Sequence, residues 1–289
     1  MTFVRPALMG VLNVTPDSFS DGGQHDSIEA ALDHAKLLIM GGATIIDVGG
    51  ESTRPGAARI TIEEELSRVI PVIEAIVAEL ARTNRADIKI SIDTMNATTA
   101  LAAVAAGAKI INDVSGGLAD PKMLAVAATT GAIFVISHWR GFSNEMDQLN
   151  TYVDVAKDVA HELKLRVDAA TAAGVTRSKI VIDPGLGFAK DLKQNWQLVA
   201  RLDEIEKLDL PILVGASRKR FISGVLDESL NEDKTVGNER RDLATAVLTA
   251  LLLQRKLWGV RVHNVIATSD AIAIVEALRV AEEGKAGQS

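Results

Sequence analysis

The sequence IKISIDT, at residues 88–94, alternates apolar with polar side chains. Its three isoleucines fall on one face of an extended chain, whereas Ser91 and Asp93 fall on the other, because successive side chains of a strand point in opposite directions. The stretch therefore predicts a β-strand that buries one face in a core and carries polar groups on the other.

Short runs rich in valine and isoleucine recur on both sides of this stretch, and longer alanine-rich amphipathic segments separate them. Such alternation predicts parallel strands joined by crossover helices. Eight units with no break in composition indicate a closed sheet, so the predicted fold is α/β, a single (β/α)8 TIM barrel. The eight strands are predicted at residues 8–14, 44–50, 88–94, 109–114, 132–138, 180–185, 211–217 and 259–265.

The length of 289 residues fits one such domain. The last predicted helix covers about residues 269–282, which gives a barrel domain over 1–282 and a frayed tail over 283–289. Near the other end, the sequence DSIE at residues 26–29 resembles a capping sequence and predicts the start of the first helix.

Composition excludes several classes of function. The 31 basic and 38 acidic side chains give a net charge of -7, so no broad positive field exists to attract nucleic acid or an anionic membrane. Cysteine is absent, which excludes disulfides and thiolate metal sites and fits a reducing compartment such as the cytoplasm. No apolar run approaches the roughly 20 residues of a membrane helix. An anionic small-molecule ligand must be held by a local group of cations.

Polar side chains cluster at the carboxyl ends of the predicted strands. In a parallel barrel those ends meet at one mouth, where catalytic groups lie. Asn112 and Asp113 are adjacent and must point in opposite directions, so we assign Asn112 to the mouth and Asp113 to a supporting loop. The side chains at these ends are Asn13, Asp47, Asp93, Asn112, His138, Asp183, Ser217, Arg261 and His263.

Glycine-rich loops follow several strands, and the two longest, at residues 14–25 and 51–60, are expected to cover the mouth as lids. After the seventh strand, GASRKRF places Lys219 between two arginines at a predicted helix start, which suits anion capture. Arg218 and Arg220 themselves are interpreted as a solvated helix face. Asp47 is expected to order loop 51–60 together with Glu51.

Seven motifs are distributed over nearly the whole chain: NVTPDSFSDGG (13–23), DVGGESTRPGA (47–57), SIDT (91–94), INDVSGG (111–117), DPGLGFAK (183–190), GASRKRF (215–221) and RVHNV (261–265). Together these motifs resemble the dihydropteroate synthase family. The Trp139-Arg140 pair is similar to actinobacterial members in particular.

The resemblance implies an enzyme that joins (7,8-dihydropterin-6-yl)methyl diphosphate to p-aminobenzoate, giving 7,8-dihydropteroate and pyrophosphate for folate biosynthesis. It also implies roles for individual residues. The implied pterin-binding residues are Asp93, Asn112, Asp183, Phe188 and Lys219. The implied diphosphate-binding residues are Asn13, Thr53, Arg261, Val262 and His263. The implied p-aminobenzoate pocket contains Phe19, Thr53, Arg54, Pro55, Phe188 and Ser217. The implied catalytic residues are Asp21, Lys219, Arg261 and His263.

The same resemblance implies Mg²⁺ as cofactor, with the Asn13 side chain as its protein ligand, and a dissociative displacement. It further implies a cytoplasmic homodimer that is a sulfonamide target, with pairing through helices in the last third of the chain. His138 is expected to have a supporting hydrogen-bond role at most. One departure from the family pattern is Ser137, which stands where many members have methionine before the histidine.

Two other functions remain open at this point. A methyltransferase acting on methyltetrahydrofolate with a corrinoid protein would share the region around Asp93, Asn112 and Asp183, but it would give no reason for the basic motifs or the STRP loop. A non-catalytic paralogue that binds pterin without turnover is the second alternative, because a fold alone does not establish activity.

Overall fold

The computed structural model describes residues 5–15, 24–51, 59–142, 145–227 and 236–286. Its strands form one parallel sheet in the order β6-β5-β4-β3-β2-β1-β8-β7. A bridge between Ile182 and Ile212 joins the two ends of this order and closes the barrel, which confirms the predicted fold. The strands are β1 Ala7–Asn13, β2 Ile45–Gly49, β3 Lys89–Asp93, β4 Ile110–Asp113, β5 Ile133–Ser137, β6 Ile180–Asp183, β7 Leu213–Val214 and β8 Gly259–Val262.

Helices follow the strands and form the outer layer. One helix follows each of the first five strands and the last, and two follow each of β6 and β7 in the described part of the chain. They are α1 Gln24–Met40, α2 Ile62–Arg82, α3 Ala97–Ala105, α4 Met123–Thr130, α5 Val155–Ala172, α6 Leu192–Ala200, α7 Asp203–Glu206, α8 Arg220–Asp227, α9 Asn238–Leu252 and α10 Val265–Ala286. Among these described helices, none combines the length and apolarity needed to cross a lipid bilayer.

The barrel interior holds an apolar layer contributed by six strands. Side chains two residues further along the same strand face the same way, since the strand repeat is two residues. Three polar residues each follow a member of this layer by two positions, and they therefore form a polar layer directly above it. These residues are Asp47, Asn112 and Asp183. The apolar layer consists of Met9, Ile45, Ile110, Val135, Val181 and Leu213.

Three boundary predictions are wrong. The first helix begins at Gln24, so the DSIE sequence at 26–29 lies inside it and does not cap it. The last helix runs over Val265–Ala286, so residues 283–286 of the expected tail are helical. Strand 7 is shorter than the expected 211–217: the regular strand covers only Leu213–Val214, and Ile212 before it forms the single bridge to Ile182.

Candidate active site

Arg261 links two carboxylates across the barrel mouth. Its Nε donates to Asp47 Oδ2 at 2.6 Å, and its Nη2 donates to Asp93 Oδ2 at 2.6 Å. Asn112 Nδ2 donates to the same Asp47 oxygen at 3.1 Å. Asp47 has no exposed surface, and a buried charge of this kind requires such partners. The four residues therefore form one connected polar group above the apolar layer.

The expected role of Asp47 in ordering loop 51–60 is wrong. Asp47 lies on the inward face of β2 together with Ile45, so it meets Arg261 from β8 and not the loop that follows its own strand. Glu51 instead accepts a hydrogen bond from Arg59 Nε at 3.2 Å. Asp47 thus lies at the mouth, as its strand-end position predicts, but its pairing with Arg261 was not predicted from the sequence.

Asp93 has an unusual protonation equilibrium. Burial raises the pKa of its carboxyl to about 7, although the adjacent Arg261 guanidinium acts to lower it. Asp47 and Glu65 raise the pKa of Asp93 further, because each is a nearby negative charge. Asp93 therefore exchanges its proton near neutral pH and can act as either donor or acceptor toward a ligand.

Asp183 and Lys219 form the second charged group of the mouth. Asp183 Oδ1 accepts a hydrogen bond from the Gly185 N–H at 2.7 Å. Burial raises the pKa of Asp183, whereas the nearby Lys219 ammonium lowers it. Burial lowers the pKa of Lys219 to about 8, with Asp183 acting in the opposite direction. Each charge therefore favours the ionised form of the other.

Phe188 lies beneath the Lys219 ammonium, whose Nζ is 4.1 Å from the centre of the ring. This distance allows a cation–π interaction. The same Nζ donates to the Leu186 carbonyl. Phe188 is half-buried, so part of its ring surface remains available to a ligand.

His263 is oriented by Ser217. The Ser217 hydroxyl accepts from the His263 backbone N–H at 3.1 Å and lies 2.9 Å from His263 Nδ1. The hydroxyl has one proton and a second lone pair, so it can form this hydrogen bond with either tautomer of a neutral His263. Ser217 therefore positions His263, and its implied contact with p-aminobenzoate stays a prediction.

Asn13 ends β1 beside Gly49 and is half-buried. Within the described residues its side-chain amide makes no hydrogen bond. Val262 is buried in β8, where it pairs with Gly10 of β1. Both residues lie at the mouth, and their diphosphate roles stay predictions. The five remaining predicted residues lie outside the described residues: Phe19, Asp21, Thr53, Arg54 and Pro55.

The choice between Asn112 and Asp113 agrees with the geometry. Asn112 faces Asp47 in the barrel, whereas Asp113 points away and accepts hydrogen bonds from Ser115 N at 2.8 Å and Gly117 N at 2.7 Å. Asp113 thus supports the loop after β4. Burial raises the pKa of Asp113 to about 6, although these hydrogen bonds oppose the shift.

The solvated-face interpretation of Arg218 is wrong. Arg218 precedes α8 in a left-handed conformation with φ 60°, and its Nε and Nη2 donate to the two Asp242 oxygens, both at 2.7 Å. Asp242 is buried on α9. The pair joins the loop after β7 to α9 and leaves Lys219 as the cation that faces Asp183. Arg220 is exposed, as expected.

Known proteins with sequences similar to this chain include pterin-binding enzymes. A profile of the family described as pterin binding enzyme matches residues 9–263. The dihydropteroate synthase of Mycobacterium leprae (strain TN) is 45% identical over 278 residues, which cover 96% of this chain and 95% of that protein. The dihydropteroate synthase of Escherichia coli (strain K12) is 43% identical, with 97% and 94% covered.

Solved structures give the same result. The Xanthomonas albilineans dihydropteroate synthase with 4-aminobenzoic acid superposes with a TM-score of 0.84 at 41% identity, covering 96% of this chain and 95% of that one. The same enzyme in complex with 7,8-dihydropteroate gives a TM-score of 0.81 at 38% identity, with the same coverage. The chain belongs to the dihydropteroate synthase family of pterin-binding enzymes.

Proposed function

We propose that this chain joins (7,8-dihydropterin-6-yl)methyl diphosphate to p-aminobenzoate, releasing pyrophosphate and forming 7,8-dihydropteroate for folate biosynthesis. The observation that carries this function is the arrangement of Asp183 and Lys219 beside the group formed by Arg261, Asp47 and Asp93. A heteroaromatic ring with donors and acceptors on its edges and an anionic tail fits such a mouth. The X. albilineans relatives that hold 4-aminobenzoic acid and 7,8-dihydropteroate support the choice of substrates.

Recognition of the pterin rests on buried charges. An ionised Asp183 accepts two hydrogen bonds from the amidine-like edge of the ring, and a carboxylate does so more strongly than a neutral amide. Asn112 and Asp93 contact the other polar atoms, and the Lys219 ammonium favours the ionised form of Asp183. The half-buried Phe188 ring supplies apolar area for the ligand to pack against.

Departure of the diphosphate requires stabilisation of developing negative charge. His263 donates a ring N–H to the leaving group, and Arg261 adds a positive charge at the same end of the mouth. The carbon–oxygen bond to the methylene group breaks first, and its electron pair leaves with pyrophosphate. The amine lone pair of p-aminobenzoate then forms the carbon–nitrogen bond, and the amine loses a proton afterwards.

Mg²⁺ fits this site as a substrate-bound cofactor. The described residues contain no group of three or more histidines, aspartates or glutamates that could hold a metal by themselves. The Asn13 amide oxygen is a hard neutral ligand of the kind Mg²⁺ accepts when phosphate oxygens and water provide the others. Asn13 would hold the ion, which when bound neutralises charge on the diphosphate.

The decisive assay uses purified protein with the pterin diphosphate, p-aminobenzoate and Mg²⁺, and follows pyrophosphate and dihydropteroate in one sample. We expect the two products to form in equal amounts. Tight pterin binding with neither product would favour the non-catalytic paralogue. Methyl transfer from methyltetrahydrofolate to a corrinoid protein would favour the methyltransferase.

We further propose that the enzyme is a cytoplasmic homodimer that binds neither nucleic acid nor membrane. The support for pairing is an exposed apolar stripe on α9, with Leu243, Val247 and Leu251 at 62%, 53% and 62% exposure. On the neighbouring α10, Ile274 and Leu278 are 73% and 61% exposed. Cytoplasmic action follows from the substrate, because a diphosphate does not cross a bilayer unaided.

A further inference from the structure

The loop after β6, residues 184–190 (PGLGFAK), contains strained backbone. Gly185, Gly187 and Ala189 all have left-handed conformations, with φ of 65°, 76° and 47°. A left-handed backbone conformation costs an alanine about 1–2 kcal/mol of free energy. Strained backbone of this kind persists only where the surroundings fix it.

Side chains from outside the loop hold its backbone groups. The Gly187 N–H donates to Asn195 Oδ1 at 2.6 Å, and the Tyr152 hydroxyl donates to the Ala189 carbonyl at 3.0 Å. Asn195 is buried on α6. The loop is therefore anchored from both the helix that follows it and the loop that precedes α5.

Lys190 is the central anchor. Its Nζ lies 3.0 Å from the Gly185 carbonyl, 3.1 Å from the Phe188 carbonyl and 2.9 Å from His138 Nδ1. The side chain is almost fully buried, with 7% of the residue exposed. One amino group thus ties the start of the loop to its end and both to the end of β5.

The protonation of this group follows from its neighbours. Although burial acts to raise the pKa of Glu162, hydrogen bonds from His138 and Arg140 lower it to about 2, so Glu162 is a carboxylate. His138 Nε2 lies 3.0 Å from Glu162 Oε2 and must donate to it, because a carboxylate offers no proton. Burial lowers the pKa of His138 to about 4, so the ring is neutral and its Nδ1 is an acceptor.

Lys190 therefore faces three acceptors. Burial lowers the pKa of Lys190 well below its ordinary value, with Lys219 adding to the shift. A neutral amine has only two N–H groups and would leave one of the three acceptors unsatisfied. The geometry matches the three donors of the ammonium form.

The shape of this loop sets the position of Lys219. The Leu186 carbonyl accepts from Lys219 Nζ, and the Phe188 ring lies under it. Gly187 packs so closely on Lys219 that a Cβ built there would lie 2.6 Å from Lys219 Cδ. A shift of the loop by an ångström would move Lys219 away from Asp183.

We propose that Lys190 is a positioning residue for the pterin pocket: it holds loop 184–190 so that Lys219 stays beside Asp183, and His138 with Glu162 fixes its ammonium. The inference rests on the proposed pterin binding. Lys190 contacts no substrate in this scheme. It acts through the carbonyls of Gly185 and Phe188.

The first test replaces Lys190 by methionine, which has similar length and no donors. Lys193→Met, an exposed lysine three residues further on, is the matched control for loss of charge. Calorimetric titration with 6-hydroxymethylpterin, which lacks the diphosphate, measures the pocket alone. We expect the pterin Kd to rise at least about tenfold in Lys190→Met, as loss of charged hydrogen bonds predicts, and to stay unchanged in Lys193→Met.

A second pair of variants separates positioning from mere folding. Asparagine places its amide near the Nδ1 position of histidine, and glutamine places its amide near Nε2. His138→Asn can keep the third acceptor of Lys190, whereas His138→Gln keeps only the contact with Glu162. We expect His138→Gln to weaken pterin binding several-fold more than His138→Asn, with both variants equally folded by melting temperature.

An unchanged pterin Kd in folded Lys190→Met would overturn the proposal, as would equal pterin affinities for the two His138 variants. If Lys190→Met does not fold, the His138 pair decides alone. Failure of the proposed function would look different, since the wild-type protein would then bind no pterin. A lower melting temperature of Lys190→Met with wild-type pterin affinity would mean that Lys190 stabilises the fold and does not position the pterin pocket.

Discussion

Asp93 is the residue whose chemistry depends most on pH near neutrality. Burial raises the pKa of its carboxyl to about 7, although the adjacent Arg261 guanidinium acts to lower it. An aspartate in an unfolded chain has a pKa near 3.9. Between these values the native protein keeps a proton that the unfolded chain has released. Stability therefore falls as pH rises through this window, and the loss is complete above about pH 7.

Asp93→Asn removes this titration. We expect the free energy of unfolding of the wild type, relative to the variant, to fall by up to about 1.4 kcal/mol per pH unit between about pH 4 and pH 7. Urea unfolding at several pH values measures both proteins. Parallel pH profiles for the two would show that Asp93 ionises normally in the folded state.

Asp183 and Lys219 are expected to be needed for binding and dispensable for folding. Asp183→Asn keeps an oxygen for the Gly185 N–H but loses the charge that a pterin requires, and Lys219→Ala leaves Asp183 without its cation. Each change should weaken pterin binding at least about tenfold, or about 1.4 kcal/mol, with a melting temperature near that of the wild type. Titration calorimetry measures the affinity.

The exposed neighbour Arg220 supplies the control for those variants. Arg220→Ala removes a positive charge one residue from Lys219 at an exposed position, so its pterin affinity should match the wild type. A similar loss in Arg220→Ala and Lys219→Ala would mean that the general charge of the segment matters and the electrostatic interaction between Asp183 and Lys219 does not.

At the scale of elements, the β6–α6 loop offers a test of close packing. Gly187→Ala adds a Cβ at φ 76°, 2.6 Å from Lys219 Cδ, whereas Gly131→Ala adds one at φ 64° with nothing within 4 Å. Both changes carry a similar backbone cost, on the order of 1 kcal/mol. Chemical unfolding should therefore show comparable losses, but only Gly187→Ala should weaken pterin binding. Equal affinities would show that Lys219 can move without consequence.

The sequence predicts well those elements whose own residues show a clear pattern, such as alternation of apolar and polar side chains. The alternation in residues 88–94 places Ser91 and Asp93 on one face, and β3 has that face toward the barrel axis. Strand 7 is shorter than predicted, because the composition of residues 211–217 does not reveal that the regular strand covers only Leu213–Val214. The DSIE sequence does not mark the start of the first helix, because a capping sequence is a short pattern that also occurs inside helices.

Contacts between distant elements explain what the sequence did not predict at the site. Asp47 and Arg261 are 214 residues apart, and no local pattern marks them as partners. The pairing of Arg218 with Asp242 on α9 likewise joins residues that are distant in the sequence. Lys190 stands in a quoted motif, yet its importance depends on His138 from another strand. Polar residues at the strand ends predict the position of the mouth, but only the closed barrel shows which of these side chains contact each other.

At the scale of the whole molecule, the barrel leaves an apolar surface uncovered on α9 and α10. Leu243, Val247 and Leu251 follow one another at intervals of four residues, so they lie on one face of α9. Large exposed apolar patches on soluble proteins mark interaction sites. A second copy of the chain is the occupant that the proposed homodimer requires, and a two-fold pairing would bring the same stripe from both copies together.

Val247→Glu with Leu251→Glu tests this interface by placing two like charges on each copy at its centre. We expect sedimentation velocity to show a dimer for the wild type and a monomer for the double variant. Leu101→Glu on α3 is the control, because Leu101 is 50% exposed and lies on a different side of the barrel.

A dimer that survives the double change would show that the interface lies elsewhere, and a monomeric wild type would exclude pairing. The charged residues described at the mouth all come from one chain, so the monomeric variant should still bind pterin. Loss of pterin binding together with the dimer would instead mean that pairing supports the site.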